Sequence, residues 1–215
     1  MTPRIRVLLA DDHTIVRQGL VGILKASTDI DVVGEAGDGA EAVDKAMKLK
    51  PDVVVLDVSM PHLNGLEAAR RIRESLPGTR VLVLTMHDDE EYVLKMVRAG
   101  ASGYLLKDSA ASELLAGIRA LKAGKSYFGP HATHALAEAY QSDRPLPEDP
   151  FERLTDRERE IFQLVVEGKT NAQIADMLFI SPKTVDNHRT RMMEKLGVHG
   201  TAELVRFAAK HKLLS

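Results

Sequence analysis

Short hydrophobic runs in the first half of the chain end in side chains that phosphate chemistry can use. Two carboxylates, Asp11 and Asp12, follow one run, and a third, Asp57, follows another. A hydroxyl at Thr85 and an ammonium at Lys107 follow two later runs. Three carboxylates, a hydroxyl and an ammonium suit a centre that handles phosphoryl groups, provided that the fold brings them together.

These runs predict the parallel strands of a βαβ sheet, because segments with helical spacing separate them. Parallel sheets bind ligands at the carboxyl ends of their strands, so the polar residues would meet in one crevice. Strict alternation predicts an α/β fold with a five-stranded doubly wound parallel sheet. The predicted strands are Ile5–Ala10, Ile30–Ala36, Val53–Leu56, 81–84 and Gly103–Leu106, and the predicted helices are 14–26, 39–50, 65–75, 89–98 and 110–123.

Carboxylates held close together repel one another, and a divalent cation would offset that repulsion. Mg²⁺ prefers a few carboxylates, some waters and phosphate oxygens, so Asp11, Asp12 and Asp57 predict an incomplete magnesium cage. Lys107 and Thr85 have the right chemistry to neutralise the other side of a phosphoryl group, with one aspartate as the nucleophile. Each residue alone has a simpler explanation, such as a helix N-cap for Asp12, and only the set favours a site.

Length and composition narrow the class of protein. The chain has 215 residues and no cysteine, which excludes disulfides and thiolate metal sites. No segment resembles a signal peptide or approaches the roughly 18 apolar residues of a membrane span, so we expect a cytoplasmic protein without a membrane partner. The net charge of the whole chain is −2. Residues 151–215 carry 11 Lys and Arg against 9 Asp and Glu, a net charge of +2, whereas residues 1–150 carry 18 Lys and Arg against 22 Asp and Glu, a net charge of −4. This asymmetry indicates, weakly, different partners for the two halves.

A proline-rich segment divides the chain. Residues 141–150 contain three prolines among polar and charged residues, which disfavours regular backbone hydrogen bonding. We therefore expect an α/β domain at 1–124, a linker at 125–150 that can accommodate a short helix at 131–140, and a smaller all-α domain at 151–215.

The starts of three helices are marked in the last domain. Two have the spacing of a capping box, and the third has a serine N-cap before a first-turn proline. These pairs are Thr155 with Glu158, Thr170 with Gln173, and Ser181 with Pro182.

The helix after Ser181 has one apolar and one polar face. At 100° per residue, its core-facing residues Val185, Met192 and Leu196 lie within about 20° of one axis. A capped helix and a short turn precede it, which predicts a helix-turn-helix unit whose second helix enters the DNA major groove. A face that contacts only water is the alternative, because acidic residues dilute its charge. The predicted DNA contacts are Asn187 and Thr190 to base edges, Lys183, Thr184 and Arg191 to bases or backbone, and Arg189 to a phosphate.

The α/β half resembles bacterial response-regulator receiver domains in several motifs. The resemblance implies that Asp57 accepts a phosphoryl group from a sensor histidine kinase, while Asp11, Asp12 and the Ser59 carbonyl help to hold Mg²⁺. The motifs are Ala-Asp-Asp-His at 10–13, Leu-Asp-Val-Ser-Met-Pro at 56–61 with Asn-Gly-Leu at 64–66, Leu-Thr at 84–85, and Ala-Gly-Ala-Ser-Gly-Tyr-Leu-Leu-Lys at 99–107.

The same resemblance assigns roles on the other side of the site. Thr85 and Lys107 would hold the phosphoryl oxygens, and Tyr104 would turn inward with Thr85 as part of a conformational switch. Many receivers follow this lysine with proline, whereas this chain has Asp108.

The helical half resembles the LuxR-type DNA-binding domain, and the two halves together resemble NarL/FixJ-type response regulators. The resemblance implies a transcription regulator that forms a homodimer on double-stranded DNA when phosphorylated, with RNA polymerase as a further partner. It implies no enzyme activity beyond slow autodephosphorylation. In this class the last helix commonly pairs two DNA-binding domains, which would give Leu204, Val205 and Phe207 a second use besides core packing. The motifs lie at 154–160, 168–175, 180–185 with His188, and 195–198.

Two alternatives stay open. An aspartyl-phosphate phosphohydrolase also uses carboxylates, lysine, threonine and Mg²⁺ on a parallel sheet. Those enzymes resemble one another in an Asp-x-Asp motif after the first strand, whereas here Asp11 and Asp12 are adjacent. A receiver-like dimer that is never phosphorylated would regulate DNA constitutively, but the complete set of acidic-site residue types disfavours it.

Overall fold

The computed structural model describes residues 3–86, 88–109, 111–141 and 150–210, which form two compact units, Met1–Arg144 and Pro145–Ser215. Strands and helices alternate along the first unit. The strands are β1 Ile5–Ala10, β2 Ile30–Ala36, β3 Val53–Leu56, β4 Arg80–Thr85, β5 Gly103–Leu106 and β6 Tyr127–Phe128. The helices are α1 Thr14–Lys25, α2 Gly39–Leu49, α3 Gly65–Ser75, α4 Glu90–Ala99, α5 Ala111–Lys122 and α6 Pro130–Gln141.

The strands form one parallel sheet in the order β2-β1-β3-β4-β5-β6. Helices cover both faces, and two layers of buried apolar side chains separate them from the sheet. All four residues of the central strand β3 are buried, which is why its sequence is continuously apolar. The doubly wound parallel fold predicted from the alternating pattern is confirmed.

The sheet has six strands in the described part of the chain, not the five predicted. The additional strand, β6, lies within the predicted linker and is only two residues long, too short to show an alternating pattern. Phe128 pairs with Tyr104, and the Gly129 N–H donates to the Tyr104 carbonyl at 3.0 Å. Strand pairing therefore extends the first unit beyond residue 124.

Helix α6 also belongs to the first unit. It extends the helix expected at 131–140 by one residue at each end and packs on α4. Ala132 and Ala135 are buried in α6, and their small side chains suit a close helix contact. The predicted linker residues 142–149 lie outside the described residues.

The second unit contains four α-helices in its described part, with a short 3-10 helix at Pro150–Arg153 before them. The helices are α7 Asp156–Val166, α8 Asn171–Met177, α9 Pro182–Leu196 and α10 Thr201–Lys210. Both predicted capping boxes and the Ser181 N-cap are present. One apolar core joins the helices and includes Val185, Met192 and Leu196, as the helical angles predicted. Across the described residues, no helix combines the length and the apolar character that crossing a membrane requires.

An ion pair between a buried glutamate and a half-buried lysine fixes the end of α9 against the start of α7. Glu158 is nearly inaccessible to solvent, and its Oε2 accepts from the Lys195 ammonium at 2.6 Å and from the Thr155 N–H at 2.7 Å. Burial alone would raise the pKa of Glu158, but the hydrogen bonds from Lys195 and Thr155 outweigh it and hold that pKa below its usual range. One carboxylate thus caps α7 and positions α9.

Candidate functional site

Hydrogen bonds between neighbouring strands bring the predicted phosphate-handling residues to one edge of the sheet. The Asp57 N–H donates to the Ala10 carbonyl at 2.9 Å, which places Asp57 beside Asp11. The Lys107 N–H donates to the Thr85 carbonyl at 2.8 Å, which ties those two residues together. The parallel order of the strands therefore produces the crevice that the sequence predicted.

Lys107 joins two carboxylates in this crevice. Its Nζ lies 2.6 Å from Asp57 Oδ2 and 2.9 Å from Asp11 Oδ2, while Asp57 Oδ1 accepts from the Val58 N–H at 2.7 Å. The exposed fractions are 11 % for the Lys107 side chain, 4 % for Asp57 and 2 % for Asp11. The peptide bond between Lys107 and Asp108 is trans.

The cluster leaves an excess of negative charge. Burial raises the pKa of the Asp57 carboxyl, Lys107 lowers it and Asp11 raises it, and the resulting pKa lies above the ordinary value. Burial lowers the pKa of the Lys107 ammonium, but its hydrogen bonds to Asp11 and Asp57 outweigh burial and leave that pKa raised. One ammonium is shared by two carboxylates, so a further cation would be stabilised here.

Asp12 and His13 complete the group of potential metal ligands. His13 Nδ1 lies 2.7 Å from Asp12 Oδ1, and one donor atom from each of Asp11, Asp12, His13 and Asp57 lies within 4.8 Å of the others. Carboxylate oxygens in such an arrangement fit a hard divalent cation such as Mg²⁺. Ser59 lies partly buried in the loop after β3. Sequence reasoning assigned no role to His13, although it directly follows the two aspartates.

Two buried tyrosines lie close to this centre. Tyr104 of β5 is inaccessible, as is Thr85 at the end of the neighbouring strand β4. Burial raises the pKa of Tyr104, and the nearby carboxylates of Asp88 and Asp89 raise it further. Burial also raises the pKa of Tyr92 in α4, with smaller effects from Tyr104 and Asp57. Sequence reasoning missed Tyr92, which appears in the sequence only as one more apolar position of a helix.

Glycines allow the backbone to pack tightly behind the acidic cluster. A Cβ on Gly65 would lie 2.1 Å from the Asp57 carbonyl oxygen and 2.7 Å from Val58 Cα. A Cβ on Gly39 would lie 1.9 Å from the Leu63 carbonyl oxygen. Any larger residue at Gly65 would therefore displace the backbone that carries Asp57.

Helix α9 presents the predicted polar face. Thr184 is half-buried, and its hydroxyl lies 2.8 Å from the Ser181 hydroxyl. The Thr190 hydroxyl donates to the Asp186 carbonyl at 3.1 Å, so each threonine hydroxyl has a partner in α9 or in its N-cap. Among the predicted DNA contacts, the exposed residues are Lys183, Asn187, Thr190 and Arg191.

Arg189 is engaged within the second unit. Its Nη1 donates to Asn171 Oδ1 at 2.6 Å and its Nη2 donates to the Thr201 hydroxyl at 2.9 Å. The side chain is half-buried between α8, α9 and α10, whereas the sequence suggested a phosphate contact.

Comparisons with known proteins match one family model to each of the two units. The model of the response regulator receiver domain matches residues 7–119, and that of bacterial regulatory proteins of the luxR family matches residues 152–208. The chain belongs to the response regulators. As a response regulator with a LuxR-type DNA-binding domain, it is a transcription regulator, and the matches do not support the phosphohydrolase alternative.

The response regulator is similar to curated and solved relatives over nearly its full length. It is 44 % identical to oxygen regulatory protein NreC of Staphylococcus aureus over 214 residues, which cover 97 % of this chain and 99 % of NreC. It is 37 % identical to ChrA, a response regulator of a heme-sensing two-component system, with a TM-score of 0.54, covering 98 % of this chain and 99 % of ChrA.

The response regulator also resembles a relative that was solved with DNA. RcsB in an RcsB–DNA complex is 27 % identical, with a TM-score of 0.59, covering 96 % of this chain and 98 % of that chain. RcsB of Salmonella typhimurium gives the same identity and TM-score over 97 % of this chain and 99 % of that chain.

The last helix of the response regulator contributes mainly to the core. Leu204 is fully buried, and the Phe207 ring packs edge-on against Phe162 with centroids 6.2 Å apart. Val205 remains 36 % exposed. Core packing therefore accounts for Leu204 and Phe207, and Val205 is the member of this set with surface available to a second copy.

Proposed function

We propose that Asp57 is the phosphoacceptor and that a sensor histidine kinase supplies the phosphoryl group. The observation that carries the proposal is the position of Asp57 directly after the central strand β3, paired with Lys107 at 2.6 Å. The neighbouring strand β1 leads to Asp11 and Asp12, and β4 on the other side ends at Thr85. Asp57 is therefore the carboxylate with acidic groups on one side and the hydroxyl on the other.

The chemistry is a phosphoryl transfer to a carboxylate. A carboxylate oxygen of Asp57 forms a bond to phosphorus, the bond to the donor imidazole breaks, and its electron pair stays on the imidazole nitrogen. Lys107 and Thr85 hold the phosphoryl oxygens, and Lys107 keeps its ion pair with Asp11. Slow hydrolysis of the resulting acyl phosphate is the one turnover that we propose.

We propose that Asp11, Asp12, Asp57 and the Ser59 carbonyl hold Mg²⁺. The donor set supports this, because the carboxylate oxygens lie within 4.8 Å of one another and outnumber the one ammonium among them. Bound Mg²⁺ would neutralise charge on the phosphoryl oxygens.

The proposed output is a shift towards an active conformation that favours a homodimer. A phosphoryl group on Asp57 supplies new acceptors for Lys107 and Thr85, and their movement with Tyr104 carries the change. A complete switch from 1:99 to 99:1 requires about 5.5 kcal/mol of differential stabilisation. A dimer would place two recognition helices roughly 34 Å apart, one DNA turn.

We propose that α9 is the recognition helix. Asn187 and Thr190 contact base edges, while Lys183, Thr184 and Arg191 divide between bases and backbone. The exposure of Lys183, Asn187, Thr190 and Arg191, opposite the buried Val185, Met192 and Leu196, supports this assignment, and Thr184 lies half-buried beside them. RNA polymerase as a further partner and a cytoplasmic location complete the proposal.

The test is labelling of the full chain by a small acyl-phosphate donor with Mg²⁺. Asp57→Asn should abolish labelling, because it removes the nucleophilic oxygen while keeping the shape of the side chain. Asp52→Asn is the matched control: Asp52 lies just before β3, at the end of the strand remote from Asp57, and the variant should label like the unmodified chain.

Two outcomes would contradict the proposal. Label retained by Asp57→Asn on another residue would place the acceptor elsewhere. Release of many phosphate equivalents per chain from a phosphate monoester would identify a phosphohydrolase.

A further inference from the structure

Arg189 connects three helices of the DNA-binding unit. Its guanidinium, from the middle of α9, donates to Asn171 at 2.6 Å and to Thr201 at 2.9 Å. Asn171 is the first residue of α8, and Thr201 is the first residue of α10. One side chain thus joins the recognition helix to both of these neighbours.

Asn171 makes a second contact with the recognition helix. Its amide nitrogen lies 3.4 Å from Asp186 Oδ1, and Asp186 precedes Arg189 by three positions on the same side of α9. Asn171 therefore accepts from one residue of α9 and donates to another. Because these two residues lie at different angles around α9, a rotation of the helix about its axis would disturb this pair of hydrogen bonds.

The chemistry of arginine suits this role. The planar guanidinium presents several donors in a fixed arrangement, so two partners at different angles restrain it more than a point charge could. Hydrogen bonds from an ionised donor are also stronger than those between neutral groups. Because direct readout of bases depends on the position of side chains within a groove, a small displacement of α9 would weaken it.

We propose that Arg189 is a positioning residue, which orients α9 for base readout and does not itself bind a DNA phosphate. The proposal rests on the proposed DNA contacts of α9. It predicts that losing Arg189 reduces specific binding while leaving the number of phosphate contacts unchanged.

The experiment uses the full chain, phosphorylated in the same way in every variant, on a DNA site selected from random sequences by the unmodified chain. Arg189→Ala and Arg189→Lys should each weaken binding to that site about tenfold, since neither restores both hydrogen bonds. Binding to unrelated DNA should stay within about twofold, and the slope of log affinity against log salt should not change. Lys183→Ala is the comparison and should lower that slope by about one if Lys183 contacts a phosphate.

A phosphate contact gives a different pattern. If Arg189→Ala lowers the salt slope by about one and Arg189→Lys retains binding, Arg189 binds the backbone and the proposal is wrong. Unchanged binding to the selected site in Arg189→Ala also overturns it. If Lys183→Ala changes neither affinity nor slope, the proposed DNA contact of Lys183 is wrong. The Arg189 variants are still judged by the ratio of their affinity for the selected site to their affinity for unrelated DNA.

Asn171→Ala tests the same contact from its partner and keeps the arginine. It should weaken specific binding at constant salt slope, and the double variant with Arg189→Ala should lose less than the product of the two separate losses. Full retention of specific binding by Asn171→Ala would contradict the proposal, because a phosphate-binding arginine does not need this partner. Thermal melts of each variant confirm that binding is measured on folded protein, so reduced stability alone cannot produce the result.

Discussion

Replacing Lys107 by Met would remove the cation that two buried carboxylates share. The ammonium lies 2.6 Å from Asp57 and 2.9 Å from Asp11, and the three side chains are between 2 % and 11 % exposed. Removing one partner of a buried ion pair costs about 3–5 kcal/mol, because the remaining charge stays buried without a counter-charge. We expect Lys107→Met to lower the free energy of unfolding by about 3 kcal/mol, equivalent to roughly 10 °C in Tm.

Lys122→Met is the matched control. Lys122 Nζ also lies 2.6 Å from a carboxylate oxygen, that of Asp52, but the two side chains are 43 % and 26 % exposed. Exposed ion pairs contribute about 0–1 kcal/mol, so this variant should lose less than about 1 kcal/mol. Both lysines lie 2.6 Å from a carboxylate oxygen, but Lys107 is buried and shared with a second carboxylate, so the difference between the variants measures burial together with that second ion pair.

The pH dependence of the Lys107→Met variant provides a second readout. The pKa of Asp57 is raised in the folded chain, chiefly by burial, so the folded state binds a proton more readily than the unfolded state. Stability from this group is therefore lost as pH rises through the raised pKa. Removing Lys107 removes the contribution that lowers this pKa, so the free energy of unfolding should fall more steeply with rising pH.

The assay is urea unfolding at several pH values in metal-free buffer, followed by circular dichroism. Added Mg²⁺ should stabilise Lys107→Met, because the ion supplies the missing positive charge. The reasoning would be refuted if Lys107→Met lost no more stability than Lys122→Met, or if the pH dependence were that of the unmodified chain.

Two further predictions concern packing and an ion pair. Gly65→Ala should abolish phosphoryl labelling, because its Cβ would lie 2.1 Å from the Asp57 carbonyl oxygen. Gly78→Ala is the control and should label normally, because no neighbouring atom lies within 4 Å of its Cβ. Normal labelling of both variants would contradict the steric argument. Lys195→Met should destabilise the second unit by about 1–3 kcal/mol in thermal melts. Because the pKa of Glu158 is lowered, the stability that this ion pair gives the folded unit is present at neutral pH and is lost as pH falls through that lowered pKa. If Lys195→Met lost stability towards acid pH as steeply as the unmodified chain, this reasoning would be refuted.

Local patterns in the sequence were sufficient for much of the fold. The five longer strands appear as short apolar runs. The starts of α7 and α8 appear as capping boxes with the two residues three positions apart, and the start of α9 appears as a serine followed by a proline. These signals depend on residues within one or two turns of each other, so no tertiary information is needed to read them. The rule that parallel strands direct their carboxyl ends to one edge then predicted that Asp57 and Lys107 would meet.

Other features depend on contacts between distant positions. Strand β6 has two residues and exists through its pairing with Gly103 and Tyr104, which no local pattern encodes. The sequence predicted a phosphate contact for Arg189 and could not indicate its partners Asn171 and Thr201, because they lie 18 and 12 positions away.

The order of residues is sufficient to show which chemical groups this protein has and which strand ends or helix faces carry them. Tertiary structure decided that Lys107 is shared by Asp11 and Asp57, that His13 and Tyr92 lie beside the centre, and how deeply these charges are buried. Residue type and periodicity are local properties, whereas desolvation and hydrogen-bond partners arise only when separate elements pack together.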